Sequence, residues 1–351
     1  MPQRATTKEI KVVDKNKRRR RIRFWHLIVL AFFLLIIYFF KFASNYPLKE
    51  DLKHRPNFFG VTFSKKYCGE IGLDWKEAYL AVLDDLKVKE IRLPVYWDEI
   101  EPQKNTFDFS DYDYMIQEGA KRNVKFIMNV GWRLPRWPEC HSPEWAGQKS
   151  LASTQAFALD MLNEVVNHYK GNSAIIAWQV ENEPLFNAFG ICPSSDLNFY
   201  KSELNAVKKL DGRPIVISAT GELSTWQEES RLSDIFGSTL YRVVWGPWTG
   251  YIRYPIPAWF YRFKAYLAGI QPEDRLIIEL QAEPWVPNGN IIYLTAAEAN
   301  KSFNLGQFRA NLQYAINVDF KKAYLWGVEW WYWQYKNGDP SYWELARTIF
   351  N

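Results

Sequence analysis

The sequence predicts an α/β protein, a (β/α)8 TIM barrel preceded by a single N-terminal transmembrane helix. Three observations predict it. Eight apolar segments of strand length alternate with helix-like stretches from residue 57 onward. One of them, Ile175-Ile176-Ala177-Trp178-Gln179-Val180, breaks into Glu181-Asn182-Glu183-Pro184. Proline ends the ladder there and leaves an amide and a carboxyl at a C-terminal strand tip. Finally, a run free of Asp, Glu, Lys and Arg at residues 24–40 follows a dense block of cations.

Taken in chain order, residues 1–23 read as a basic cytoplasmic tail and residues 24–40 as a transmembrane anchor. The run is 17 residues long, at the short end for a span. Lys15, Lys17, Arg18 to Arg21 and Arg23 precede it, so the N-terminus is expected to stay cytoplasmic and the domain to lie outside the cytoplasm. A cleaved signal peptide is the alternative. Against it, Lys41 and Phe42 stand upstream of Ala43 and Ser44, where cleavage asks for small residues. Residues 41–56 read as a linker and residues 57–351 as the barrel domain. Residues 1–55 hold 14 Lys/Arg and 4 Asp/Glu, net +10, which leaves 30 against 35, net −5, for the remainder. A mildly acidic domain argues against nucleic acid as a ligand.

Strands are expected at residues 58–63, 90–94, 125–130, 174–180, 214–218, 238–244, 276–280 and 323–327. The stretch Asp74-Trp75-Lys76-Glu77 resembles a capping box that opens the first helix. Further helices are expected at 151–170, 198–210, 257–267, 296–318 and 342–350, and the segment before Ser238 carries the faintest helical pattern. The three cysteines, Cys68, Cys140 and Cys192, form no CxxC pair, which speaks against zinc. On the barrel reading Cys140 and Cys192 follow strands three and four, whose loops are neighbours. They form the expected disulfide of an exported domain, with three separate thiols as the alternative.

Glu183 carries the chemistry. A strand-tip Glu among aromatics can hold a raised pKa and protonate a leaving oxygen, and Asn182 beside it can donate to a sugar hydroxyl. The plain alternative is a Glu that caps the next helix. Glu279, inside Leu276-Ile277-Ile278-Glu279-Leu280, is the partner, because a carboxylate within an apolar strand needs compensation. Two such carboxyls on one rim suffice to cleave a glycosidic bond. Glu283 is the rival, and a structural ion pair the plain alternative. Arg92, at the end of a strand, offers a charged fork to steady the nucleophile, and Tyr241 offers a hydroxyl. Many of the 17 Trp fall at strand ends, where flat rings suit the CH faces of sugars. Trp132, Trp285 and Trp330 are the candidates for that contact. The run Glu329-Trp330-Trp331-Tyr332-Trp333 stands out because successive aromatics on one strand cannot all point inward. No GxSxG elbow, HExxH or phosphate loop is present, and His26, His54, His141 and His168 are scattered. Neither a metal nor a cofactor is expected.

The chain resembles the clan A glycoside hydrolases, whose catalytic carboxylates stand on strands four and seven. The resemblance covers residues 57–351. It rests on the strands above and on Tyr96-Trp97-Asp98-Glu99-Ile100-Glu101-Pro102 with the following Thr106-Phe107-Asp108-Phe109-Ser110-Asp111-Tyr112-Asp113, similar to the clan's strand-two signature. It implies Glu183 as acid/base, Asn182 as its amide neighbour, Glu279 as nucleophile, Arg92 and Tyr241 as its supports, and a strand-eight tryptophan under the sugar. Trp330 is the choice there, with Trp326 and Trp331 as rivals. Two features depart from the cellulase pattern. Gly131-Trp132-Arg133 stands where a His often follows strand three, and Thr239-Leu240-Tyr241 replaces His-x-Tyr. The 131–140 segment faintly resembles the beta-galactosidase branch.

The expectation is thus a membrane-anchored glycosidase that hydrolyses β-linked oligo- or polysaccharides with retention, its two carboxyls about 5–5.5 Å apart. A cell-surface transglycosylase and a carbohydrate-binding pseudoenzyme are the alternatives. Oligomeric state is not legible.

Overall fold

The computed structural model describes residues 21–35, 55 and 57–350. The chain divides into two compact units, residues 1–48 with 255–258, and residues 49–254 with 259–351. In the first unit, residues 21–35 are helical and expose their large apolar side chains, from Phe24 to Leu35. Among the described residues no helix is long and apolar enough to cross a membrane. The structure therefore does not support the expected transmembrane helix. Residues 36–40 of that span, with residues 1–20 and nearly all of the expected linker, lie outside the described residues.

The second unit is the expected barrel. Its strands are β1 (Phe59–Thr62), β2 (Glu90–Pro94), β3 (Lys125–Val130), β4 (Ile175–Val180), β5 (Ile215–Ala219) and β6 (Ile235–Leu240). A hairpin of β7 (Val243–Gly246) and β8 (Gly250–Arg253) precedes the last two, β9 (Arg275–Gln281) and β10 (Lys322–Trp326). All strands but the hairpin pair in parallel, and β10 returns to β1 to close the sheet. Closure removes every sheet edge. Ile127, Ala177, Val216, Leu276, Ile278 and Tyr324, from five of these strands, share one buried apolar cluster.

Three expectations shift. Strand six spans Ile235–Leu240, not residues 238–244, because the apolar pattern runs on through Tyr241-Arg242 into the hairpin. The helix expected at 296–318 is two, Ala296–Ser302 and Leu305–Val318. Phe303 and Asn304 are extended between them, and the Asn304 side chain caps the second by accepting from Gln307 N–H. The aromatic run is helical. Gly327, at φ 124°, turns the chain out of β10 into the helix Val328–Lys336. Asp74 does cap the helix Trp75–Asp84, accepting from Lys76 and Glu77 N–H, but the Glu77 side chain binds Tyr332 and Lys336 rather than closing the box.

Cys140 and Cys192 are disulfide-bonded with Cα atoms 5.4 Å apart, joining the loops after β3 and β4, while Cys68 is buried and free. Thiol titration of the 45–351 protein is expected to find no reactive thiol in the native state and one after unfolding without reductant. Replacing both Cys140 and Cys192 by Ser is expected to cost about 2–4 kcal/mol in urea unfolding. Three titratable thiols in the unfolded parent would remove the bridge.

Candidate active site

The strand tip of β4 is a strained turn. Glu181 and Glu183 have φ 60° and 43°, left-handed conformations that cost a non-glycine residue about 1–3 kcal/mol each. Three hydrogen bonds hold the turn: Glu181 N–H to the Val130 carbonyl at 2.8 Å, Asn182 N–H to the Arg133 carbonyl at 2.6 Å, and Glu183 N–H to Ser218 Oγ at 2.8 Å. Gly131 permits this closeness, since a Cβ there would lie 2.4 Å from Glu181 Oε1. Thr239, in the position where the cellulase pattern has His, donates its hydroxyl to Glu183 Oε1 at 3.0 Å.

Glu279 lies on β9, 4% exposed. Arg92 Nη1 donates to its Oε1 at 2.6 Å and the Tyr241 hydroxyl to its Oε2 at 2.9 Å. Arg92 is fully buried and also donates to Gln179 Oε1 at 2.7 Å, Asn182 Oδ1 at 3.0 Å and Asn129 Oδ1 at 3.1 Å. One guanidinium therefore ties the turn that bears Glu183 to the strand that bears Glu279.

The two carboxyls sit in unlike surroundings. Burial pushes the Glu183 carboxyl up to about 8, and the negative charges of Glu279 and Glu139 add to the effect against the Thr239 hydrogen bond. Glu183 is thus a protonated acid at neutral pH. Glu279 is ion-paired with Arg92 and accepts a second hydrogen bond from the Tyr241 hydroxyl. A proton donor beside a paired carboxylate, on one rim, is the equipment for acid-assisted displacement.

The comparisons with known proteins bear on the family and the fold. Residues 51–258, more than half of the chain, match the family described as cellulase (glycosyl hydrolase family 5). The chain belongs to this family. By family it is a clan A glycoside hydrolase. An endo-1,4-beta-xylanase of Phanerodontia chrysosporium is 34% identical over 120 residues, covering 32% of the chain and 28% of the relative. A beta-galactosidase of Clostridium cellulovorans is 20% identical over 173 residues, covering 44% and 26%. The chain thus spans about a quarter of the length of these curated relatives. Among solved structures, xylanase 10B of Thermotoga petrophila superposes with a TM-score of 0.53 at 12% identity, covering 80% of this chain and 86% of that one, a likeness of fold alone.

In this family 5 hydrolase the structure brings Glu183, Glu279, Arg92, Asn182 and Tyr241 together. Asn182 points inward rather than to an open face: it is 2% exposed and bonded to Arg92, Ser218 and Glu139. Trp285 meets the Tyr241 ring edge-on at 5.7 Å, with Phe189 at 6.1 Å and then the exposed Trp137 beyond it. These rings extend from the Tyr241 that holds Glu279. Trp132 is partly buried against Trp97. Trp330 is a correction. It lies on the helix after β10, 2% exposed and packed on Tyr342 at 4.6 Å and Phe303 at 6.0 Å, so its ring is core. The rival Trp326 is the last residue of β10, 8% exposed, with the Arg136 guanidinium 4.0 Å from its ring centre. The rival Glu283 is held by Arg136 at 2.5 Å and by Trp326 Nε1 at 2.9 Å.

Sequence reasoning missed Asn129, Gln179, Ser218 and Glu139, and noted Thr239 only as a departure from the cellulase pattern. The first two carried a signal, a buried amide inside an otherwise apolar strand. Glu139 carried none. It comes from the loop after β3, pairs with Arg133 at 3.3 Å, and burial raises it to about 7.

Arg92→Met is expected to leave Glu279 buried without its cation. The cost should be about 3–5 kcal/mol in urea unfolding, with activity lost as well. A fully stable variant would show that Arg92 does not support Glu279.

Proposed function

We propose that this hydrolase cleaves β-linked oligo- or polysaccharides by double displacement with net retention. The observation that carries the reading is the contrast of environments: a Glu183 that keeps its proton near pH 7 beside a Glu279 clamped by Arg92 and Tyr241. In the first step a Glu279 oxygen bonds to the anomeric carbon while the bond to the leaving oxygen breaks, and that oxygen takes the Glu183 proton. In the second, Glu183 removes a proton from water, whose oxygen bonds to the same carbon as the bond to Glu279 breaks. Arg92 and Tyr241 favour Glu279 as a leaving group, since both bind its anion. The required carboxyl separation is about 5–5.5 Å. The rings of Tyr241, Trp285, Phe189 and Trp137 suit sugar faces, which favours a substrate of several units. Xylan and β-galactoside substrates head the screen because the relatives above carry those names.

We place the enzyme at a membrane with its barrel outside the cytoplasm. The cations of residues 15–23, the apolar run that follows and the Cys140–Cys192 bridge support that placement. Fractionation of the full-length protein, with protease protection of the barrel, tests it.

Glu183→Gln and Glu279→Gln are each expected to lower kcat by about three orders of magnitude or more, and the first product, read by NMR before mutarotation, to keep the β-anomer. An inverted product would overturn the mechanism. Because the free-enzyme acid titrates at about 8, kcat/KM should fall on the alkaline side through that pH. Thr239→Val removes a hydrogen bond that lowers Glu183, so this limb should move to higher pH. A limb that moves down or stays would take Thr239 out of the acid's environment.

A further inference from the structure

Behind the acid/base turn lies a second carboxyl pair that the hydrolytic steps do not use. Glu181 and Glu203 are both buried, 5% and 1% exposed. Glu203 stands on the helix Leu197–Leu210 that follows β4, and its carboxyl is hydrogen-bonded to that of Glu181. Two carboxylates cannot share a hydrogen bond, so one of them brings the proton. The surroundings decide which. Glu181 accepts Trp132 N–H at 2.6 Å and Arg133 N–H at 2.5 Å, and the Arg133 charge favours its anion further. Glu203 has no such donors. Burial, and then the charge of Glu181, push its carboxyl well above the ordinary range.

The other groups around the pair do not change this assignment. Arg133 comes from the loop after β3 and is engaged by Glu139 and the carbonyls of Phe186 and Phe189. Tyr200 is on the helix of Glu203, Asp196 caps that helix, and Gln155 faces the pair from the helix Leu151–Tyr169. Glu229, which acts on Tyr200, is one more carboxyl. Glu203 Oε1 and Trp132 Nε1 have no hydrogen-bond partner, and both residues line one cavity of about 60 Å³.

We propose that Glu203 is a positioning residue: as a neutral acid it donates to Glu181 and so locks the strained turn that aims Glu183. The link is short. Glu181 and Glu183 are two residues apart, both left-handed, and the Glu181 carboxyl lies so near Gly131 that a Cβ there would come within 2.4 Å of its Oε1. An ionised Glu203 would set two anions in contact and drive Glu181 from the N–H groups of Trp132 and Arg133, which tie the turn to the β3 loop. The inference rests on Glu183 as the acid/base.

The sign of the pH effect follows from the proton. A carboxyl held above its unfolded value stabilises the fold fully below about pH 4, and that contribution is lost as pH rises toward the folded value. Glu203→Gln keeps a donor and has no proton to lose. Its melting temperature relative to the parent should therefore climb from pH 5 to pH 8. At pH 6 it should keep kcat within about threefold, while Glu203→Ala loses about tenfold or more in kcat with little change in KM. A melting difference that stays flat with pH, or a Glu203→Gln as slow as Glu203→Ala, would overturn the proposal. If Glu203→Ala does not fold, the Glu203→Gln series decides alone. The melting series needs no substrate. A parent that cleaves nothing thus refutes the acid/base reading and the positioning role with it, while the series still reports whether Glu203 holds the proton.

Discussion

Arg92 is a full positive charge at the centre of a barrel whose other strand residues are mostly apolar, and desolvating it costs several kcal/mol unless its donors are met. Meeting them organises the site. The acceptors come from four places: Asn129 on β3, Gln179 on β4, Asn182 just past β4, and Glu279 on β9. Asn129 and Gln179 are fixed in turn, since both amides donate to the Glu181 carbonyl and Gln179 also donates to Ser218 Oγ. Each of these groups is buried and would be costly unpaired. Satisfying one cation thus sets the orientation of Glu279 and the base of the turn that bears Glu183.

The site sets two residues of the same type in unlike surroundings. Glu279 receives a guanidinium and a phenol. Glu183 receives a single hydroxyl, from Thr239, and feels two other carboxyls. Where the cellulase pattern has a histidine, a neutral hydroxyl adds no positive charge, and burial and carboxylate repulsion outweigh the Thr239 hydrogen bond and the Arg133 charge at Glu183. The departure noticed in the sequence therefore works in the direction acid catalysis requires. It strengthens the reading of Glu183 and does not weaken it.

The barrel was legible because parallel strands buried on both faces are near-continuous apolar runs, and such runs can be found one at a time. Glu183 and Glu279 were legible for the converse reason, as carboxyls where an apolar run gives them no local compensation. What failed depended on direction rather than composition. Trp330 was read as the residue under the sugar because the aromatic run looked like strand. One glycine, Gly327, turns that run into a helix, and a helix sends Trp330 into the packing of Phe303 and Tyr342. Strand six was placed three residues late because apolar character continues into a hairpin that no pattern separates from it. Glu139 and Glu203 were invisible, since a charged residue in a loop or on an amphipathic helix is ordinarily solvated.

The loop after β3 shows why such residues escape a local reading. Arg133, Arg136, Glu139 and His141 are all buried in it, and most partners of the two arginines lie far away in sequence. Arg136 pairs with Glu283 beyond β9 and Glu329 beyond β10, and its guanidinium lies 3.4 Å from the Tyr67 ring centre and 4.0 Å from that of Trp326. Segments that follow β1, β3, β9 and β10 thus meet on one cation. Arg133 binds the carbonyls of Phe186 and Phe189 in the loop after β4, and the Cys140–Cys192 bridge repeats that link covalently. Removing any one charge would strand its partners in a buried setting, so this loop cannot relax piecemeal. The same segment supplies the N–H groups that hold Glu181. The geometry of Glu183 is therefore set as much by a charge-rich loop as by the strand that carries it.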